Sequence, residues 1–273
     1  MIRWCAEPGQ TLSIEGIDLE YACFGPPPGE AATIVMLHEG LGCVEMWRDV
    51  PKQLSEVTGL GVLVYSRRGY GRSAAADQPF PVDYMTLEGE NTLGKVMDAS
   101  GLKEVILLGH SDGATIACIY AGSVSDMRVR GLVLIAPHFF TEPQGLAAIR
   151  SAGKAYRKGD LKSKLARYHD DIDGVFHRWY DVWTSPEFEN WNVADAIDHL
   201  RIPVLAIQGR DDAYGTLAQI EEIDARIYSP LETSILDHCG HAPHFERGPE
   251  TRHAIAEFCA RLMRLEHQKI ALA

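Results

Sequence analysis

One pentapeptide constrains this chain more than any other feature. Gly109-His110-Ser111-Asp112-Gly113 follows the apolar run Glu104-Val105-Ile106-Leu107-Leu108 without a break and opens an apolar helical stretch over 112–123. A strand that turns directly into a helix through Gly-x-Ser-x-Gly belongs to a parallel sheet whose crossovers are helices. The turn is so tight that Ser111 is expected in strained backbone angles. Side chains at 109 and 113 would strike the neighbouring strand and helix, hence the glycines. Ser111 would then stand above the strand end with a helix amino terminus aimed at it, an arrangement that favours developing negative charge.

The rest of the chain repeats the strand–helix theme. Residues 11–24 read as an entry hairpin, and 33–38, 61–66, 131–136 and 203–209 as further buried strands. Helical spacing of Trp47, Val50, Leu54 and Val57 predicts a helix over 46–58. Further helices are expected at 82–99 and 249–266, the last with Ile255, Phe258, Leu262 and Leu265 on one face. The fold class is therefore α/β, a mostly parallel, doubly wound sheet. Between 137 and 201 the alternation stops. That segment is polar and holds Trp179, Trp183 and Trp191, with Phe176, Trp179, Tyr180 and Trp183 at i, i+3, i+4, i+7. It reads as a helical cap over 139–200, inserted into a core made of 1–138 and 201–273. Its aromatic face either glues the cap to the core or lines a pocket, and at least one ring is expected to do the latter.

Composition narrows the partners. A formal charge of −12 works against nucleic acid or an anionic membrane, so a small molecule is the expected partner. No apolar run approaches the roughly 18 residues of a membrane span. The amino terminus shows no apolar core with a cleavage site, so no secretory signal is expected. Six scattered cysteines without a CxxC pair read as reduced, mostly buried thiols, which favours a cytoplasmic location. No cofactor motif is found, and none is expected. No feature specifies an oligomeric state.

A serine hydroxyl is a poor nucleophile until a base takes its proton, and the base needs a carboxylate to orient it. Asp211 and Asp212 follow the 203–209 strand, at the end where such sheets present ligand-facing groups. Farther on, His238, His241 and His244 crowd the loop before the last helix. The chain order serine, acid, histidine is thus available. A zinc site from Asp237, His238, Cys239, His241 and His244 is the competing use of that loop, but no second ligand cluster supports it.

Five motifs follow one another along the chain: His38-Glu39-Gly40; Ser66-Arg67-Arg68-Gly69-Tyr70-Gly71-Arg72-Ser73; the Gly109–Gly113 turn; Gly209-x-x-Asp212; and Gly240-His241. In these the sequence resembles the α/β-hydrolase superfamily over nearly its whole length, specifically the small-cap branch of esterases, lactonases, carbon–carbon bond hydrolases and non-metal haloperoxidases. The resemblance implies Ser111 as nucleophile, Asp212 rather than Asp211 as the acid, and His241 rather than His238 or His244 as the base. Glu246, five residues after His241, also fits. The oxyanion hole would combine the N–H of Asp112 with that of Gly40, or of Leu41 if the loop is shifted by one. Two departures stand out. Glu39 replaces a glycine and sets a carboxylate by the oxyanion loop, where it either tunes substrate choice or pairs with Arg67, Arg68 or Arg72. Ser66 replaces an aspartate, which touches only a turn-stabilising role. The Asp112 carboxyl adds a second acidic group, one that repels anionic leaving groups or simply complements the helix amino terminus, a stabilisation of roughly 0.3–1 kcal/mol.

The function implied is hydrolysis of a small ester, thioester, lactone or similar carbonyl compound through an acyl-enzyme, with Glu39, Trp179 and Trp183 as expected substrate contacts. Carbon–carbon cleavage or perhydrolysis on the same residues is the alternative. A non-catalytic binding protein of this fold is the third reading, and it has no need of all three residues. Serine at the elbow argues against epoxide hydrolysis and dehalogenation, which use aspartate there.

Overall fold

A computed structural model describes residues 2–7, 9–77 and 79–267, with side chains through Arg264. Eight strands form one sheet: β1 (Gln10–Ile14), β2 (Ile17–Phe24), β3 (Thr33–Leu37), β4 (Gly61–Tyr65), β5 (Val105–His110), β6 (Val129–Ile135), β7 (Val204–Gly209) and β8 (Leu231–Leu236). Their spatial order is β1-β2-β4-β3-β5-β6-β7-β8. The β1–β2 hairpin turns on Glu15 and Gly16, both at positive φ, and β2 meets β4 antiparallel; from β4 to β8 every pairing is parallel.

Residues of the central strands alternate between two cores, as the period-2 pleat requires. Val35, Leu37, Leu107, Leu132, Leu134 and Ala206 face one side; Ile34, Met36, Ile106, Leu108, Val133 and Ile207 face the other. The second side is covered by α1 (Val50–Thr58) and the terminal helix. The first is covered by α2 (Tyr84–Leu87), a π-helical stretch (Glu88–Leu93) and α3 (Gly94–Ala99), then by α4 (Asp112–Ser123), all but three of whose residues are buried. Between β6 and β7 lie α5 (Pro143–Lys158), α6 (Leu161–Leu165), α7 (Ile172–Trp183), a 3-10 turn (Pro186–Asn190) and α8 (Asp195–Asp198). After β7 come α9 (Ala218–Arg226), α10 (Pro243–Glu246) and α11 (Gly248–His267).

The differences from the sequence reading have local causes. The expected 46–58 helix is a 3-10 turn, Glu45–Trp47, followed by α1, because Arg48 at φ 52° interrupts the spiral. The expected 82–99 helix starts at Tyr84, after a turn at 82–83, and loosens to π at Glu88–Leu93. There Gly89 passes α4 so closely that a Cβ would sit 3.2 Å from the Ile116 carbonyl oxygen. Edge strand β8 and helix α9 had no counterpart in the reading. LETSIL is half-buried at best and lacks the continuous apolar run of the inner strands. Among the described residues no helix is long and apolar enough to cross a membrane. All six cysteines are free thiols, five of them buried.

Candidate active site

The chain turns from β3 toward β4 on one side and toward β5 on the other, so a crevice opens beyond the carboxyl ends of β3 and β5. Ser111 stands there at φ 55°, ψ −120°, a strained conformation that costs on the order of 1–3 kcal/mol. Its surroundings hold it: the Ser111 N–H donates to the Ile135 carbonyl (2.9 Å), and the Ser111 carbonyl accepts from Ala114 (2.9 Å) and Thr115 (3.1 Å). Gly109 and Gly113 are needed for contact. A Cβ on Gly109 would lie 2.2 Å from the Gly113 carbonyl, and one on Gly113 would lie 2.1 Å from the Leu37 carbonyl oxygen.

Two more strand ends deliver the partners. Gly209 closes β7 and lies so near the next loop that a Cβ would sit 2.1 Å from the Gly240 carbonyl oxygen. That close approach brings Asp212 and His241 together. Ser111 Oγ lies 2.9 Å from His241 Nε2, and His241 Nδ1 lies 2.7 Å from Asp212 Oδ2. Asp212 is buried, and burial alone would raise its carboxyl. The His241 ring, the Tyr214 N–H (2.8 Å) and the Gln208 amide (2.9 Å) together hold it below the usual range. An anionic Asp212 accepts from His241 Nδ1–H, which leaves Nε2 free to accept from the serine hydroxyl. Glu246 accepts from the N–H of Gly240 (2.7 Å) and of Ala242 (3.0 Å), clamping both neighbours of His241.

The rivals lie elsewhere. Asp211 and His238 point to solvent. His244 is buried against Trp47 and His110, and burial keeps it neutral, with its pKa lowered to about 3. The zinc ligand set does not converge, since Asp237 pairs with Arg210 at 2.6 Å while His241 turns to Asp212.

A cavity of about 260 Å³ adjoins Ser111. Glu39, Gly40 and Leu41 from the loop after β3 line it, with Trp179 and Trp183 of α7 and Ile149 of α5 opposite. As first residue of α4, Asp112 carries a backbone N–H with no carbonyl a turn earlier to receive it. The aromatic face of α7 divides in two. Trp179 and Trp183 reach the cavity, whereas Phe176 is stacked between Tyr156 (3.7 Å) and Tyr180 (5.2 Å) inside the helical segment.

The two departures from the family pattern resolve differently. Ser66 donates to Glu20 Oε2 (2.7 Å), which also accepts the Arg72 N–H (3.1 Å), so a buried carboxylate from β2 serves the turn. The Glu39 carboxylate takes none of the three arginines. Arg67 donates to the Glu39 backbone carbonyl (2.9 Å), Arg68 faces Asp77, and Arg72 faces Glu45 and Asp170. The Asp112 carboxylate, in contrast, is enclosed. It accepts from Tyr84 Oη (2.5 Å), lies 3.3 Å from His138 Nε2 and 3.8 Å from Arg67, and is held low despite its burial. Trp183 Nε1 donates to the same Tyr84 oxygen (3.0 Å), tying the cavity wall to the elbow. No spacing signal pointed to Tyr84, Arg67 or His138; each reaches Asp112 from a different element. Gln208 left a faint trace as a polar residue inside an apolar strand.

Residues 34–256 match the model of the alpha/beta hydrolase family. The chain belongs to that family. It is 24% identical over 208 residues to human serine hydrolase BPHL, covering 74% of this chain and 69% of that protein. It is 31% identical over 109 residues to proline iminopeptidase of Lactobacillus delbrueckii subsp. lactis, covering 39% of this chain and 37% of the relative, so that match spans little more than a third of that protein. The fold is shared with an esterase from Exiguobacterium antarcticum (TM-score 0.74, 18% identity, covering 92% of this chain and 99% of that one). It is shared equally with the enol-lactonase from Burkholderia xenovorans LB400 (TM-score 0.72, 18% identity, covering 92% and 100%).

Proposed function

We propose that the protein is a serine hydrolase that acylates Ser111 with a small, uncharged or cationic carbonyl substrate, an ester, thioester or lactone. The observation that carries this reading is the unbroken hydrogen-bond chain from Ser111 Oγ through His241 to Asp212, at 2.9 and 2.7 Å, opening on a cavity. In the forward step Ser111 Oγ attacks the carbonyl carbon while His241 Nε2 takes its proton. The oxyanion forms against the N–H groups of Asp112 and Gly40, or Leu41. His241 then returns the proton to the leaving oxygen or sulfur as the C–O or C–S bond breaks. Water, deprotonated by the same nitrogen, releases the acid and restores the serine.

Asp212 fixes the histidine tautomer throughout. Residues 139–200 act as a cap that closes the acyl site, with Trp179 and Trp183 as its substrate-facing rings. Among the described residues lining the cavity there is no lysine or arginine, and Glu39 and Asp112 add acidic groups. Carboxylated substrates, including carboxylated diketones, are therefore disfavoured. The test pairs a fluorophosphonate probe with a panel of short p-nitrophenyl esters. Wild-type protein is expected to be labelled and to turn over short acyl chains. Ser111→Ala should lose the label and several powers of ten in kcat. Undiminished turnover by Ser111→Ala would overturn the mechanism.

A further inference from the structure

Three carboxyl groups lie about Ser111, and two of them have basic or hydrogen-bonding side chains of the protein beside them, although Oδ1 of Asp112 accepts no hydrogen bond. Asp212 is saturated by His241, Tyr214 and Gln208. Asp112 is enclosed by Tyr84, His138 and Arg67. The third, Glu39, lines the cavity with its side chain 27% exposed, and among the described residues no lysine or arginine lies within 4.0 Å of its carboxyl. Among the described residues, the basic side chain within that distance is His110, whose Nδ1 lies at 4.0 Å. His110 is itself buried and neutral, because burial and then the neighbouring His244 and His241 push it well below its ordinary range. His110 spends Nε2 on the His241 carbonyl (2.7 Å) and supplies no positive charge. Burial raises the Glu39 carboxyl above its usual range; its own N–H, then His241 and Arg67, oppose this only in part, and the Arg67 hydrogen bonds go to the Glu39 carbonyl and to His38.

Partial burial with no cation beside it disfavours the ionised form of this carboxyl, and a cation entering the cavity would favour it. The cavity supplies the rest of a cation site. Trp47, Trp179, Trp183 and Tyr214 stand around it, rings whose faces attract an ammonium without a hydrogen bond. We infer that Glu39 is a specificity residue: it receives a compact ammonium group on the substrate while Ser111 attacks the carbonyl. The inference rests on the hydrolase reading for the identity of the attacked bond, and on Glu39 and the aromatic walls for the charge of what is bound.

The experiment has two arms, so that the site and the reaction fail separately. In the first, Ser111→Ala protein, with and without Glu39→Gln, is titrated calorimetrically with choline and with its uncharged isostere 3,3-dimethyl-1-butanol. Choline is expected to bind on the order of tenfold tighter than the alcohol, and Glu39→Gln to erase that margin. In the second, kcat/KM is measured for acetylcholine against 3,3-dimethylbutyl acetate, and for 4-nitrophenyl trimethylammonioacetate against 4-nitrophenyl 3,3-dimethylbutyrate. These pairs place the cation on either side of the ester. Comparing the charged-to-neutral ratio of wild type with that of Glu39→Gln cancels the intrinsic reactivity of each ester. A fall of about tenfold in that ratio for one pair supports the inference. Equal ratios in both pairs, or a choline margin that survives Glu39→Gln, overturns it. If no ester is turned over by wild-type protein, the hydrolase reading fails, and the binding arm still decides the role of Glu39.

Discussion

Asp211 and Asp212 are neighbours in the chain and opposites in environment. Asp211 is exposed, while Asp212 is buried at the end of β7 with three donors on its carboxylate. Asp212→Asn should therefore lower kcat by roughly 10³–10⁴-fold, since an amide in that place stabilises the wrong histidine tautomer. Asp211→Asn should change it less than about twofold. Steady-state kinetics of the two variants on one ester decide the matter, and the reverse ranking would move the acid assignment by one residue. The pair also marks what could be read from the chain alone. Ser111 was legible because its turn is contiguous and sterically demanding. Position past a strand narrowed the acid to Asp211 or Asp212, and the loop before the last helix narrowed the base to His238, His241 or His244; the preference for Asp212 and His241 came from the resemblance. The groups that enclose Asp112 come from Tyr84, Arg67 and His138, spread over 72 positions with no shared period, and only the folded chain assembles them.

At the scale of elements, the helical spacing of α7 announced an aromatic face but not its division of labour. Phe176 is fully buried in a stack with Tyr156 and Tyr180, whereas Trp179 reaches the cavity. Phe176→Ala should cost about 3–5 kcal/mol of stability and leave the ranking of esters by acyl length unchanged. Trp179→Ala should shift that ranking toward longer chains at a smaller cost in stability. Thermal melts and an acyl-length series on both variants would expose the opposite pattern if the face is glue throughout. A second element-scale device is the link from α4 to β6. Asp126 accepts from Tyr120 Oη (2.5 Å) and from the Arg128 backbone and guanidinium, and Arg128 reaches Asp98 (2.7 Å). Burial opposes ionisation of Asp126, but these donors bring its pKa down to about 2. A depressed carboxyl stabilises the fold above its unfolded value near 3.9 and loses that contribution as the pH falls toward 2. Asp126→Asn should lower stability by about 1 kcal/mol at pH 7, the shift being reduced by solvent screening, and flatten the acid limb of the stability curve between pH 4 and 2. Denaturant titrations at several pH values test this, and an unchanged acid limb would refute it.

For the whole molecule, the loops after β3 and β4 meet at the carboxyl end of the parallel sheet, and the segment between β6 and β7 reaches over that end to both. His169 accepts the Gly71 N–H at Nδ1 (2.9 Å) and donates from Nε2 to the Leu41 carbonyl (2.9 Å), within the loop that carries Gly40. Asp170 donates its N–H to the Gly71 carbonyl (3.1 Å). Arg178, on the same segment, has its side chain wholly buried. It donates to the Gly69 carbonyl, lies 3.6 Å from Asp171, and rests over the rings of Tyr70 and Phe80. A buried guanidinium holding a backbone carbonyl of another loop is a latch whose removal leaves both a void and an orphaned acceptor. Arg178→Ala should destabilise the protein by about 2–3 kcal/mol, a fall in Tm of roughly 5–10 °C for a chain of this size. Arg178→Lys should recover little of it, because an ammonium cannot reach Gly69 and Asp171 while lying flat on two rings. If the latch holds the cap, limited proteolysis of Arg178→Ala should cut first within residues 139–200, and esters too bulky for the wild-type cavity should gain rate relative to small ones. An unchanged Tm with unchanged cleavage sites would show that the aromatic stack around Phe176 and the contacts of His169 hold the segment without Arg178.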